Sequence, residues 1–419
     1  MSRLDSELAG RLESLRQEGL YRTLREVDSP QQVRVEVEGA IRLNFSSNDY
    51  LGLAAHPAVR EGAVRAVRDF GAGSGASRLV CGSLRVHRLL EERLAAFKQT
   101  EAAISFTSGY ATALGAICAL VGKGDVVIVD KLVHACVIDA VRLSGATLRI
   151  HGHNDVSELE EHLCWARREC QRAEASEGLS RGGIRGARQV LVITESVFSM
   201  DGDLAPLRDI VALKERHGAW LMVDEAHATG LFGDGRRGVI EAMGLSGRVE
   251  VQMGTLGKAL GAAGGYIAGS RVLVDWLINR ARSFMFSTAP SPAAVGAALA
   301  ALELVQGAEG EQRRQELWSR VNRVKECVIQ AGWPLDAVQS AILPLRVGDE
   351  AVAMAVGRAL FDAGLLIPAI RYPTVARGRA RLRLTVTAGH GLEDIERLEQ
   401  GLRAARARVP VAAELPGPA

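Results

Sequence analysis

Hydrophobic positions along this chain change their period several times. Leu4, Leu8, Leu12 and Leu15 recur at helical spacing with acids and bases between them, which predicts an amphipathic docking helix. Val33, Val35 and Val37 then alternate with polar residues, Gly39 interrupts, and Ile41, Leu43 and Phe45 resume the alternation, as in a hairpin. From there to about Ala289, short apolar runs alternate with helical patterns: AAISF from 102, VVIV from 126, VLVITE from 190, WLMVD from 220, VEVQM from 249 and GGYIAG from 264. This alternation predicts an α/β fold with a mostly parallel sheet wrapped by helices. Beyond Pro290 and Pro292, a long helical region through Ala331 leads to ILPLRV, another helix, RLRL and a last helix ending near Arg408, a smaller C-terminal α/β domain. The expected organisation is an N-terminal helix and hairpin arm at 1–43, a large domain at 44–289, a small domain at 290–408 and a disordered tail at 409–419.

Between Arg167 and Gln189 the composition turns basic, Gly-rich and poor in large apolar residues, so no core face can be drawn and an exposed, mobile loop is expected. The 419 residues exceed what one core usually supports, roughly 250–300 residues. With 51 basic against 49 acidic residues, the charge balance calls for neither nucleic acid nor an anionic membrane, and small-molecule chemistry is the better starting point. The six cysteines form no CxxC pair, which fits reduced, buried thiols better than a zinc knuckle or a disulfide framework. The charged residues among the leading leucines differ from the apolar core of a signal peptide. The most apolar stretch, Ala111 to Val121, falls short of the ~20 residues a bilayer span needs. A cytoplasmic protein is expected.

Candidate phosphate and metal motifs sort by context. GDGRRG (Gly233, Gly235, Gly238) matches the dinucleotide fingerprint only formally, because Gly233 stands nine positions after the strand-ending Asp224 rather than in the turn itself. GAGSGAS (71–77) follows a helical pattern and is expected as a flexible loop near a ligand. His151 and His153 lack a third ligand at metal spacing and are expected as solvated loop histidines, so no metal site is predicted.

The informative set is DEAHATG at 224–230, a strand ending in an acid, with TLGKALGAAGG at 255–265, a lysine among small residues 34 positions later. Each part has a bland explanation, a cap and a surface turn. Together they meet the needs of a pyridoxal-phosphate site: Lys258 for the covalent link, and Asp224 to keep the pyridine nitrogen charged so that the ring can hold an electron pair. His227 is in position to reach the phenolic oxygen. In SFTSGYATALG, Ser108, Gly109 and Tyr110 fall between a strand and a helix, where free amides favour a phosphate; a bare strand-to-helix turn explains the string as well. Thr255, and Ser287 with Thr288 in FSTAP, are further phosphate candidates.

Taken in order, NFSSNDYLGL (44–53), GSGASRLVCGS (73–83), TSGY, DKLVHAC (130–136), ESVFSMDGD (195–203), DEAHATG and TLGKALG resemble the alpha-oxoamine synthase family of fold-type-I pyridoxal-phosphate enzymes, over about residues 40–400. The resemblance implies an aspartate-aminotransferase-like fold, a homodimer with its active site at the subunit boundary, and pyridoxal 5'-phosphate as cofactor. Carried over residue by residue, it makes Lys258 the cofactor lysine, Asp224 the partner of the ring nitrogen, and His227 with Ser199 the contacts of the phenolic oxygen. It stacks His134 on the ring and puts Gly109, Tyr110 and Thr255 on the cofactor, with Ser287 and Thr288 serving the partner's phosphate. Asn48, Arg22, His134, Thr374, Arg371 and Arg383 fall to the substrate, with Arg383 clamping the amino-acid carboxylate.

The stretch 369–390 looks most like members that condense L-alanine with a pimeloyl thioester, on coenzyme A or acyl carrier protein, losing carbon dioxide in biotin synthesis. Tyr372 departs from that pattern, which usually has proline there, and bears on acyl-chain preference. The rivals are family members using glycine or serine (2-amino-3-ketobutyrate ligase, 5-aminolevulinate synthase and serine palmitoyltransferase), a fold-type-I aminotransferase, and a catalytically silent fold member binding partners through the basic segment. A silent member has no need of Asp224, His227 and Lys258 together.

Overall fold

The computed structural model of the chain describes residues 1–177, 188–336 and 338–408. The hairpin forms from β1 (Arg34–Val37) and β2 (Ala40–Asn44), paired antiparallel across Glu38 and Gly39. Both turn residues have positive φ, 54° and 68°, the geometry that follows the natural twist of the strands. The hairpin is not a free arm. Val35 and Val37 bury against Phe361, and β2 takes a third, parallel strand from Leu365–Leu366 near the other end of the chain.

The central sheet uses β3 (Ala102–Phe106), β4 (Val126–Asp130), β5 (Thr147–His151), β6 (Val190–Glu195), β7 (Trp220–Asp224), β8 (Val251–Thr255) and β9 (Gly265–Gly269). Their order is β3-β9-β8-β7-β6-β4-β5. Every pairing is parallel except those of β9, which runs antiparallel to both neighbours. Buried on both faces, β3, β4 and β9 read as continuous apolar runs rather than alternations. Helices Gly109–Leu120, Ala135–Ser144 and Arg271–Arg280 cover one face, and Val156–Glu177 and Leu207–His217 the other. Strand β5 escaped the sequence reading because it is a half-exposed edge whose polar residues break the apolar run.

The C-terminal unit stacks β10 (Ile342–Gly348), the two-residue strands β11 (Leu365–Leu366) and β12 (Ala369–Ile370), and β13 (Ala380–Thr385) with helices Glu350–Asp362 and Leu392–Arg408. The expected long helical region is two helices, Pro292–Gln306 and Ala308–Gln330, divided at Gly307.

Four expectations need correction. Residues 167–177 continue the helix Val156–Glu177 instead of starting a loop; 178–187 and the tail 409–419 lie outside the described residues. The first helix, Arg3–Gln17, buries none of its leucines against the described residues. Cys81 is exposed and Cys118, Cys164 and Cys170 only half-buried, so buried thiols are limited to Cys136 and Cys327. His151 and His153 are not solvated: His151 is buried at the end of β5, and the His153 side chain is enclosed between two carboxylates. Among the described residues no helix is long and apolar enough to cross a membrane.

Candidate active site

The carboxyl ends of β3, β4, β6, β7 and β8 converge, where open α/β sheets bind their ligands. Ser108, His134, Ser199, His227 and Lys258 all follow these strand ends within a few residues. The sequence signature is thus the list of loops along one sheet edge.

Lys258 Nζ lies 2.8 Å from His227 Nε2, and His227 Nδ1 lies 2.6 Å from the Tyr50 hydroxyl. The chain of polar contacts continues through Asn48, whose Oδ1 is 3.4 Å from that hydroxyl and accepts from Arg383 Nη1 at 3.0 Å. Arg383 Nη1 also donates to Thr385 Oγ1 at 3.1 Å, and its Nε donates to the Ser199 carbonyl at 2.7 Å. Lys258, His227, Asn48, Arg383 and Ser199 were all singled out in the sequence; Tyr50, which joins them, was not. It sits in NDYLGL, an irregular segment where no periodicity marks a buried phenol.

Burial dominates the electrostatics. It lowers the Lys258 pKa against the attraction of Asp224 and Glu195, and pushes His227 well below the usual imidazole range, with Lys258, Arg383 and His134 adding to the effect. Asp224 is raised by burial against the pull of Lys258. One Asp224 oxygen accepts from the Ala226 amide at 2.8 Å; the other takes no hydrogen bond from the described residues. Glu195 faces Asp224 in register on the neighbouring strand, and burial, reinforced by the Asp224 charge, pushes it up to about 8. The sequence reading passed over Glu195, because an acid closing an apolar strand looks like an ordinary cap.

His134 caps helix Ala135–Ser144. Its Nδ1 accepts from the Cys136 amide at 3.2 Å with the Cys136 sulfur 3.0 Å away, and its own amide donates to Glu195 at 2.6 Å. A ring nitrogen that accepts leaves the proton on Nε2 when the ring is neutral, and burial followed by Lys258 lowers the His134 pKa toward that neutral form. The Cys136 thiol, pushed up to about 12 by burial, stays protonated.

Ser108 caps helix Gly109–Leu120 through a bond from the Ala111 amide at 3.1 Å. The Gly109 and Tyr110 amides precede the first intrahelical bond and are open to an anion. Gly265 allows this helix start to sit against the sheet, since a Cβ there would fall 2.4 Å from Thr112 Oγ1 and 3.0 Å from the Gly109 nitrogen. Thr255 borders the same corner, its Oγ1 accepting from Gly257 at 3.2 Å. The Tyr110 phenol is turned to Asp139 at 2.5 Å.

Other candidates stay apart within one chain. Ser287 is half-buried, and the exposed Thr288 bridges to Ser77. Arg22 reaches Thr374 Oγ1 at 3.4 Å. Arg371 donates to the carbonyls of Gly19 and Tyr21, which ties down the segment after the first helix. No cluster of potential metal ligands occurs among the described residues.

This donor set suits pyridoxal phosphate: a half-buried lysine amine of lowered basicity, a buried carboxylate with one oxygen free, a buried histidine beside the amine, and two open amides at a helix start. Comparison with known proteins agrees. The family model for aminotransferase class I and II matches residues 40–402. An 8-amino-7-oxononanoate synthase from Geobacter sulfurreducens is 47% identical over 93% of this chain and 95% of its own length. A solved structure of SPT with PLP as internal aldimine superposes with a TM-score of 0.87 at 28% identity, covering 98% of this chain and 100% of that one. A crystal structure of 8-amino-7-oxononanoate synthase from Francisella tularensis shares the fold, with a TM-score of 0.71 at 24% identity over 88% of this chain and 98% of that one.

Proposed function

The chain belongs to the class I and II aminotransferase family, in the group of its 8-amino-7-oxononanoate synthase relatives, and from that premise we propose that it condenses L-alanine with a pimeloyl thioester. The products are 8-amino-7-oxononanoate, carbon dioxide and the free thiol of coenzyme A or acyl carrier protein, a step of biotin synthesis. Pyridoxal 5'-phosphate is the cofactor; when bound, it supplies an aldehyde for amine exchange and a ring that holds the electron pair left on the amino-acid α-carbon.

The observation that carries this proposal is the half-buried Lys258, its amine held by His227 in a pocket shared with the half-free Asp224 carboxylate. Asp224 meets the ring nitrogen, and the Gly109 and Tyr110 amides with Thr255 meet the phosphate. His227, oriented by Tyr50, meets the phenolic oxygen together with Ser199. Burial lowers the Lys258 pKa, which favours the neutral amine that removes the α-proton as general base. Arg383, fixed by Asn48, Thr385 and the Ser199 carbonyl, has its Nη2 left to bind the amino-acid carboxylate. His134, with its proton on Nε2, donates to the acyl oxygen as charge develops there. Arg22 and Thr374 border the acyl side, where Tyr372 bears on chain length.

The enzyme acts in the cytoplasm as a homodimer. Exposed Leu4 and Leu8 on the first helix, and exposed Phe286, Leu79 and Val80 close in sequence to the Ser77–Thr288 bridge, support a second copy covering them, and in that dimer Ser287 and Thr288 serve the partner's phosphate. The test is to incubate the holoenzyme with alanine, glycine or serine against pimeloyl, acetyl, succinyl and palmitoyl thioesters and to weigh the products. Alanine with pimeloyl thioester should give the amino ketone with one thiol released per product. A preference for serine and palmitoyl thioester would assign the chain to the activity of its SPT neighbours, and keto acid without thioester consumption would make it an aminotransferase.

A further inference from the structure

His153 lies outside the cofactor pocket and belongs to none of the roles above, yet both of its ring nitrogens sit on carboxylates. Nδ1 is 3.0 and 3.2 Å from the two Asp130 oxygens, and Nε2 is 2.7 Å from Asp203 Oδ2. Two acceptors on two nitrogens require both to donate, so the ring is an imidazolium. The site is built around it. The Phe198 ring meets it edge-on at 4.4 Å, the Asn154 amide donates to Asp130 at 2.8 Å, and the Asn154 side chain donates to Asp203 at 3.0 Å.

Asp203 closes a tight loop. Phe198 N–H donates to the Asp203 carbonyl at 3.0 Å, and Gly202 N–H donates to the Phe198 carbonyl at 2.8 Å. Gly202, at φ 73°, is wedged against β10: a Cβ there would fall 2.4 Å from the Ile342 carbonyl oxygen. Across the loop from His153 stand two arginines of β13, two residues apart and hence on one face. Arg381 pairs with Asp201, and Arg383 donates to the Ser199 carbonyl. The segment 198–203 is therefore held between an imidazolium on the large sheet and the arginine face of the small one.

We propose that His153 is a positioning residue for amino-acid recognition: its bridge between Asp130 and Asp203 fixes the 198–203 loop, and the Ser199 carbonyl of that loop aims Arg383 at the substrate carboxylate. This rests on the assignment of Arg383 to that carboxylate. The bridge does not touch Lys258, Asp224 or His227, so its loss falls first on amino-acid binding, and the Ser199 contact is the one cofactor interaction that the loop carries. A displacement of Arg383 by an ångström or so costs about ten- to a hundredfold in a step that depends on its alignment.

The test compares holoenzymes of the wild type, His153→Gln, Asp203→Asn and the double variant, reading KM for the amino acid, kcat, the cofactor's visible absorbance and the thermal midpoint. His153→Gln removes the cation between the buried Asp130 and the half-buried Asp203, and KM should rise about tenfold or more with kcat within about threefold. Adding Asp203→Asn removes one of the two uncompensated charges and should recover part of the KM. An unchanged KM in His153→Gln overturns the proposal, as does a lowered thermal midpoint with no change in KM, or a double variant no better than the single. If His153→Gln does not fold, Asp203→Asn alone decides: it keeps the shape, loses half of the bridge and should raise KM in the same direction. Wild-type turnover separates the two levels of the argument. Should the wild type use glycine or serine instead of alanine, the choice of substrate fails and the same KM comparison is made with the amino acid used.

Discussion

Replacing Asp224 with asparagine keeps its volume and the acceptor for the Ala226 amide while removing the buried negative charge. Its free oxygen is then no longer a counter-charge for a protonated ring nitrogen. Removing one member of a buried charge pair typically costs about 3–5 kcal/mol, and at about 1.4 kcal/mol per decade that is about two to four orders of magnitude in turnover. The stability of the cofactor-free protein should move the other way. Burial raises the Asp224 pKa, so the carboxylate is destabilising in the empty pocket at neutral pH, and the neutral amide of Asp224→Asn relieves that burial cost. The assay is kcat/KM for thiol release with saturating cofactor, alongside urea unfolding of the cofactor-free protein at pH 7. Loss of activity with equal or greater stability is the expected pair of results; activity within tenfold of the wild type, or a variant that unfolds more easily, would refute the charge argument.

Glu195 gives a pH prediction with a fixed sign. Its folded pKa of about 8 stands above the ordinary 4.5, so its stabilising contribution is complete below pH 4.5 and is lost as pH rises toward 8; Glu195→Gln should flatten that part of the wild-type decline in unfolding free energy, and an unaltered pH profile would contradict it. Lys98 and Glu225 form a fully buried ion pair, and Glu225 also accepts from the Ile240 amide at 2.9 Å. Lys98→Met should cost about 3–5 kcal/mol in denaturant unfolding, and a loss below about 1 kcal/mol would mean that the pair is solvated. Gly265→Ala forces a methyl onto the start of helix Gly109–Leu120, with about 1–3 kcal/mol of overpacking and weaker phosphate retention, read as a raised dissociation constant for pyridoxal phosphate; unchanged affinity would detach that helix start from the cofactor.

The central sheet was legible because its inner strands are buried on both faces and appear as unbroken apolar runs, and the site was legible because each functional side chain follows one of those runs. What escaped the sequence depends on contacts distant along the chain. Tyr50 becomes part of the site only through His227, 177 residues away. His153 looked solvated until Asp203, 50 residues on, closed over it. The pairing of β2 with β11 joins positions more than 300 residues apart, and no local pattern announces it. In the 167–177 stretch, charged residues suited to an exposed helical surface lacked the apolar stripe from which a helix is usually inferred.

The most direct measurement is borohydride reduction of the holoenzyme followed by peptide mass mapping. The phosphopyridoxyl group should lie on Lys258, within the peptide from Met253 to Tyr266, and Lys258→Ala should carry none while still folding. A stable adduct on another lysine, or none with the cofactor present and the protein native, would contradict the assignment on which the proposed activity depends.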